Sequence, residues 1–151
     1  MFTKKSALSI AAITASLTLL FPTTASAGNI TSGITECSHT GTVLEVRFTD
    51  ANSTPVQVQL ARSYNLEIDF RSAANHASFQ SLLTLAVGGL ELPYLNQSNP
   101  QSLTAGSDYT ATFAVNVVAG VVGGATGNFR AEVRADGVNE VCVIVPAQFT
   151  V

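Results

Sequence analysis

The chain has no tryptophan, one methionine, two histidines and two cysteines among its 151 residues. Its only lysines are Lys4 and Lys5, so nothing beyond residue 5 carries an ammonium group. Past residue 27, five arginines face ten acidic residues, a net charge of −5. A chain so poor in cations does not neutralise the phosphates of a nucleic acid, and adsorption to an anionic membrane surface is disfavoured as well. The scarcity of histidine and cysteine leaves little from which to build a metal site. Gly-x-Ser-x-Gly is absent. The glycine-rich stretch 119–127 lacks the Lys-Ser/Thr of a phosphate loop and reads as a connection between strands. His39, beside Cys37, and His76, in the polar run Ala-Asn-His-Ala-Ser, read as solvated loop residues rather than general bases. Glu67 and Asp69 share a polar strand face and read as sheet surface rather than a catalytic pair. With no nucleophile–base pair visible, the chain is expected not to be an enzyme.

What is present begins at the N-terminus. Lys4 and Lys5 precede an uncharged run over residues 7–21, Pro22 ends it, and Ala25-Ser26-Ala27 follows. Positive end, apolar middle and small-residue exit are the three parts of a secretory signal peptide. The run is shorter than the ~20 residues of a membrane span. Residues 1–27 are therefore expected to be removed, leaving 28–151 as one domain in the periplasm or outside the cell. In an oxidising compartment an even cysteine count argues for a disulfide, here Cys37–Cys142, across a loop of about 105 residues. The sequons at Asn29, Asn52 and Asn96 are acceptors only in a glycosylating host.

Within 28–151 the apolar pattern has period 2. Val56, Val58 and Leu60 alternate with polar residues, and so do Tyr64, Leu66, Ile68 and Phe70. The same holds for Tyr109 to Val117 and for Phe129, Ala131 and Val133. Val43–Thr49 and Val141–Val151 also read as strands, and Phe79–Leu92 as one strand with a corner after it. Asp50-Ala51-Asn52-Ser53, residues 96–100, Ala105-Gly106-Ser107-Asp108 and Asp136-Gly137 supply the turns. About seven short strands and no helical stripe predict an all-β, immunoglobulin-like antiparallel sandwich.

Several segments together resemble the ML (MD-2-related lipid-recognition) domain family. Cys142-Val-Ile-Val-Pro146-Ala-Gln-Phe149 is similar to its Cys-x-x-Ile-Pro-Val-x-Ile ending, and Glu36-Cys37 to its early Asp-Cys. Ser63 to Phe70 resembles its Tyr-x-Val-x-Val-x-Phe strand, Gly88 to Tyr94 its Gly-x-Pro-x-Pro-Phe corner, and Ala131-Glu132-Val133 its strand before the last cysteine. The chain departs from the family's sterol carrier in lacking two further disulfides and in placing Val133 and Val143 where tryptophans stand. The resemblance implies splayed sheets around an apolar cavity that holds one sterol or acyl lipid. It assigns that cavity to Tyr64, Leu66, Leu82, Leu92, Tyr94, Val115, Val117, Phe129, Ala131, Val133, Val143 and Val145, with Tyr94 as the gate. It also implies a monomeric carrier without a cofactor, in transient contact with a membrane or membrane protein. From periodicity alone the same residues would form a solid core. The alternative function is a pilin-like or adhesin subunit of a bacterial surface appendage, which the Ala/Thr/Val/Asn/Gly-rich composition and single disulfide also suit.

Overall fold

The structure is a computed structural model that describes residues 27–117 and 123–151. The signal-peptide expectation over 1–26 and the start of the glycine-rich stretch, residues 119–122, lie outside those residues. Ala27, expected as the last residue removed, opens the first strand.

Ten strand segments, and no helix among the described residues, form two sheets. They are β1 (Ala27–Asn29), β2 (Thr35–Glu36), β3 (Thr42–Thr49), β4 (Val56–Gln59), β5 (Ser63–Arg71), β6 (Phe79–Val87), β7 (Leu90–Asn99), β8 (Asp108–Asn116), β9 (Thr126–Ala135) and β10 (Val138–Thr150). One sheet has the order β1-β3-β5-β8 and the other β2-β10-β9-β6-β7, with β4 also on β10. All pairings are antiparallel except β4 with β10, which run parallel. The expected immunoglobulin-like sandwich is the fold observed.

Alternation sets which face each strand buries, because successive side chains point to opposite sides. β5 places Tyr64, Leu66, Ile68 and Phe70 inward, and β8 answers with Ala111, Phe113 and Val115 in a register unbroken from Ser63↔Asn116 to Arg71↔Asp108. β9 turns Phe129, Ala131 and Val133 inward, and β10 adds Val141, Val143, Val145, Ala147 and Phe149. The outer face of the first sheet is polar. There Arg47 ties Glu45, Glu67 and Asp69, with its guanidinium 2.9 Å from Asp69 Oδ1 and 3.1 Å from Glu67 Oε2.

Two expectations need correction. Phe79–Leu92 is not one strand with a corner: Gly88 and Gly89 form a two-residue turn between β6 and β7, closed by the Val87↔Leu90 pair. Both glycines have positive φ, 59° and 80°, which a primed hairpin turn requires at its two central positions. Leu92-Pro93-Tyr94 therefore lies within a strand. Nor are the two histidines solvated loop residues: the His39 side chain is 11% exposed between Glu36 and the Gly41 carbonyl, and that of His76 is 7% exposed between two carboxylates. The second hairpin turn, Asp136-Gly137, also has positive φ at both positions and joins β9 to β10 as the sequence indicates.

Candidate functional site

The disulfide forms between Cys37 and Cys142, whose Cα atoms are 5.1 Å apart. Cys37 N–H also donates to the Cys142 carbonyl at 3.0 Å. Cys37 directly follows β2 and Cys142 lies in β10, its neighbour in the same sheet. The bridge thus anchors the N-terminal segment to the last strand and does not cross from sheet to sheet.

Nine of the twelve candidate residues meet between the sheets. Tyr64, Leu66, Val115, Val117, Phe129, Ala131, Val133, Val143 and Val145 are all buried, and every one except Tyr64 and Val117 is wholly shielded. Aromatic rings close the end of the sandwich near Gly88. Phe48 of the first sheet lies 6.2 Å from Phe129 of the second and 5.4 Å from Tyr64, while Phe129 meets Phe149 edge-on at 6.0 Å. Spacings of this kind are packed aromatic contacts, so the sheets are bridged by side chains at this level. At the other end Phe70 and Tyr109 lie 5.8 Å apart beside buried Leu103. Between these layers lie Leu66, Ile68, Ala111 and Phe113 of the first sheet and Leu83, Ala131, Val133 and Val143 of the second.

The remaining three candidates are placed differently. Leu82 is on the outer face: it pairs with Glu132 of β9 and Asn96 of β7, while its neighbours Ser81 and Leu83 point inward. Alternation through the Leu82-Leu83 pair is ambiguous by one residue, and a one-residue slip exchanges faces. Leu92 is 44% exposed, yet it pairs with buried Leu85 and so shares its inward face. Tyr94 sits at the register shift in the β6–β7 pairing, half-buried against the core, and its hydroxyl donates to the Asn116 carbonyl at the end of β8.

These placements define a margin. β7 and β8 are the edge strands of their sheets on the same side, and the second sheet carries the longer row of strands. β7 overhangs, and Leu90 and Leu92, 65% and 44% exposed, extend the inner apolar face past the cover of the first sheet. Tyr94 makes a hydrogen bond across this margin. The main concavities are open surface grooves elsewhere. One of about 500 Å³ is lined by Pro55, Ala86 to Gly89, Thr126 to Asn128, Pro146 and Ala147, and one of about 410 Å³ lies between residues 29–36 and 43–46. None of the twelve candidate residues lines either groove.

A cluster that sequence reasoning missed lies at the opposite end. Glu140, 1% exposed, occupies the irregular position between Asn139 and Val141 where β10 shifts register against β9. Its carboxylate accepts from Ala73 N–H and His76 Nε2, both at 2.8 Å, and from the Thr40 hydroxyl at 3.4 Å. His76 Nδ1 reaches Asp136 Oδ2 at 2.6 Å. Asp136 and Glu140 outweigh burial and raise the His76 pKa above its ordinary value. Burial alone would push the Glu140 carboxyl up, but the Ala73 N–H and His76 outweigh it and hold it below its ordinary value.

No protein-family profile matches the sequence, and no curated protein matches it. Among solved structures, the chain is similar to the crystal structure of a Niemann-Pick type C2 protein from the Japanese carpenter ant. The TM-score is 0.67 at 10% identity, and the match covers 79% of this chain and 100% of that one. What the two share is the fold, an all-β sandwich of the Niemann-Pick C2 kind.

Proposed function

We propose that this chain is an exported, non-enzymatic carrier that holds one hydrophobic molecule, a sterol or acyl lipid, between its two sheets and admits it at the β7–β8 margin. The observation that carries this reading is the overhang of β7, where Leu90 and Leu92 lead into a continuous apolar interior behind a cross-margin hydrogen bond from Tyr94. The fold shared with a Niemann-Pick type C2 protein over that protein's whole length supports it, and the disulfide agrees with an oxidising compartment. Burying about 300–400 Å² of ligand surface is worth about 8–10 kcal/mol before association costs, at about 25 cal/mol per Å². Parting the margin breaks the Tyr94 hydrogen bond, worth about 1 kcal/mol net, and transfers core contacts to the guest.

The test is mass spectrometry of lipid extracted from the protein purified with its disulfide intact, followed by titration with a fluorescent sterol and a fluorescent fatty acid. Saturable binding near one molecule per chain is expected, with faster release from Tyr94→Phe and weaker uptake by Leu92→Glu. Absence of co-purified lipid together with no saturable binding overturns the proposal. A ladder of non-covalent polymers on gels supports the surface-appendage subunit instead.

A further inference from the structure

The strands that lead from one sheet to the other converge on Glu140. Thr40 and Gly41, which open into β3 of the first sheet, donate backbone bonds to the Asn139 and Glu140 carbonyls at 2.9 and 3.0 Å. Ala73 and His76 belong to the crossover from β5 to β6 and bind the Glu140 carboxylate. His76 also exchanges two backbone bonds of 2.9 Å with Leu103, which lies on the path from β7 back to β8. Gly41 is required here, because a Cβ would lie 2.5 Å from the Glu140 carbonyl and 2.9 Å from its carboxylate. The Glu140 carboxylate therefore joins the Thr40 and Ala73 crossings through side-chain bonds, and the backbone of His76 joins the Leu103 crossing to them.

Both ring nitrogens of His76 face carboxylate oxygens. An ionised carboxylate only accepts hydrogen bonds, so both contacts are made only when both nitrogens carry protons. We infer that His76, Asp136 and Glu140 form a pH-sensitive clamp that locks the end of the sandwich remote from the β7 overhang while the imidazole is charged and loosens when it is not. Among the described residues, the His76 ring is hydrogen-bonded to Asp136 and Glu140, which makes the cluster a fastening. The clamp rests on the cluster's own geometry and does not require a lipid.

The direction of the pH dependence follows from the two shifts. The His76 value is raised, so its contribution is complete below the ordinary histidine value of about 6.5 and disappears as pH rises through the native value. The Glu140 value is lowered, so its contribution is complete above the ordinary glutamate value of about 4.3 and disappears as pH falls through the native value. Asp136 and Glu140 are the titratable groups that face the ring. The β5–β6 crossover and the Leu103 segment give the cluster the Ala73 N–H and the His76–Leu103 backbone pair, with no charged side chain. The clamp is thus strongest in mildly acidic surroundings.

The experiment is an NMR titration of the His76 ring, assigned with His76→Gln, alongside thermal unfolding from about pH 5.5 to about pH 9, a range that brackets the ordinary histidine value. His76 is expected to titrate above that ordinary value. The Tm gap between wild type and His76→Gln is expected to be widest at the acidic end and to close at the alkaline end. Asp136→Asn keeps a residue that tolerates positive φ and is expected to lower the His76 midpoint while leaving the turn intact. A midpoint at or below the ordinary value, or a Tm gap independent of pH, overturns the clamp. Should His76→Gln fail to fold, the Asp136→Asn titration decides alone: an unmoved midpoint overturns the proposal.

Discussion

Phe129→Ala measures directly how firmly the two sheets are packed on each other. The ring is wholly buried and touches Phe48 across the sandwich and Phe149 beside it, at 6.2 and 6.0 Å between centroids. Removing it deletes the transfer free energy of a phenyl group and leaves a void between strands that neighbouring rings cannot refill, because they are held in opposite sheets. Buried Phe→Ala changes cost about 3–5 kcal/mol, and each of the two ring pairs accounts for about 0.5–1.5 kcal/mol of that. For a domain of this size the Tm is expected to fall by about 10–20 °C. The assay is urea unfolding of lipid-stripped protein followed by far-UV circular dichroism, with Phe129→Leu as a control expected to lose about 1–1.5 kcal/mol. A loss below about 1 kcal/mol for Phe129→Ala would falsify the packing argument. It would mean that the sheets are splayed at this level without a guest.

Replacing both Cys37 and Cys142 by serine opens a loop of 105 residues, and equilibrium unfolding should show a loss of about 5 kcal/mol on the chain-entropy model. A loss under about 1 kcal/mol would show that the denatured chain is already confined without the bridge. Gly41→Ala drives a methyl into the Glu140 carbonyl and the Arg71 carbonyl, 2.5 and 2.8 Å away. Thermal melts should record destabilisation of about 2 kcal/mol or more, and a neutral result would refute the tight convergence there. On the outer face, Arg47 holds the Asp69 carboxyl below its ordinary value. That stabilisation is present above the ordinary aspartate value and is lost as pH falls through the native one. Arg47→Met should therefore cost about 1–2 kcal/mol near neutrality and flatten the acid side of the stability profile. An unchanged acid limb would show that Asp69 does not report on Arg47.

Much of the fold is legible in the alternation of a few strands. β5, β8 and β9 each bury one face against the partner sheet, and their inward residues are those that period 2 selects. The bridge between Cys37 and Cys142 is legible from cysteine count and compartment. Legibility fails where local pattern stops determining structure. Leu82-Leu83 presents two leucines in succession, and only pairing with β9 decides that Leu83 goes inward. β7 has no clean alternation and carries a proline, so the pair of glycines before it, rather than its own residues, reveals the hairpin. His76 looks like a loop residue because its partners are 60 and 64 positions away. No window along the chain brings them together. β4 is short and joins β10 in parallel, a pairing that depends on the whole path between them.

β10 lies beside β2, β4 and β9, all of which precede it in the chain. During synthesis, therefore, the second sheet lacks until last the strand on which β2, β4 and β9 all pair. Cys37 waits through 105 positions for its partner, and Glu140 reaches Ala73 and His76 only then. The earlier strands pair among themselves before β10 is made. Contacts of such long separation also fold slowly. The arrangement leaves the second sheet, the disulfide and the Glu140 cluster all incomplete until β10 pairs.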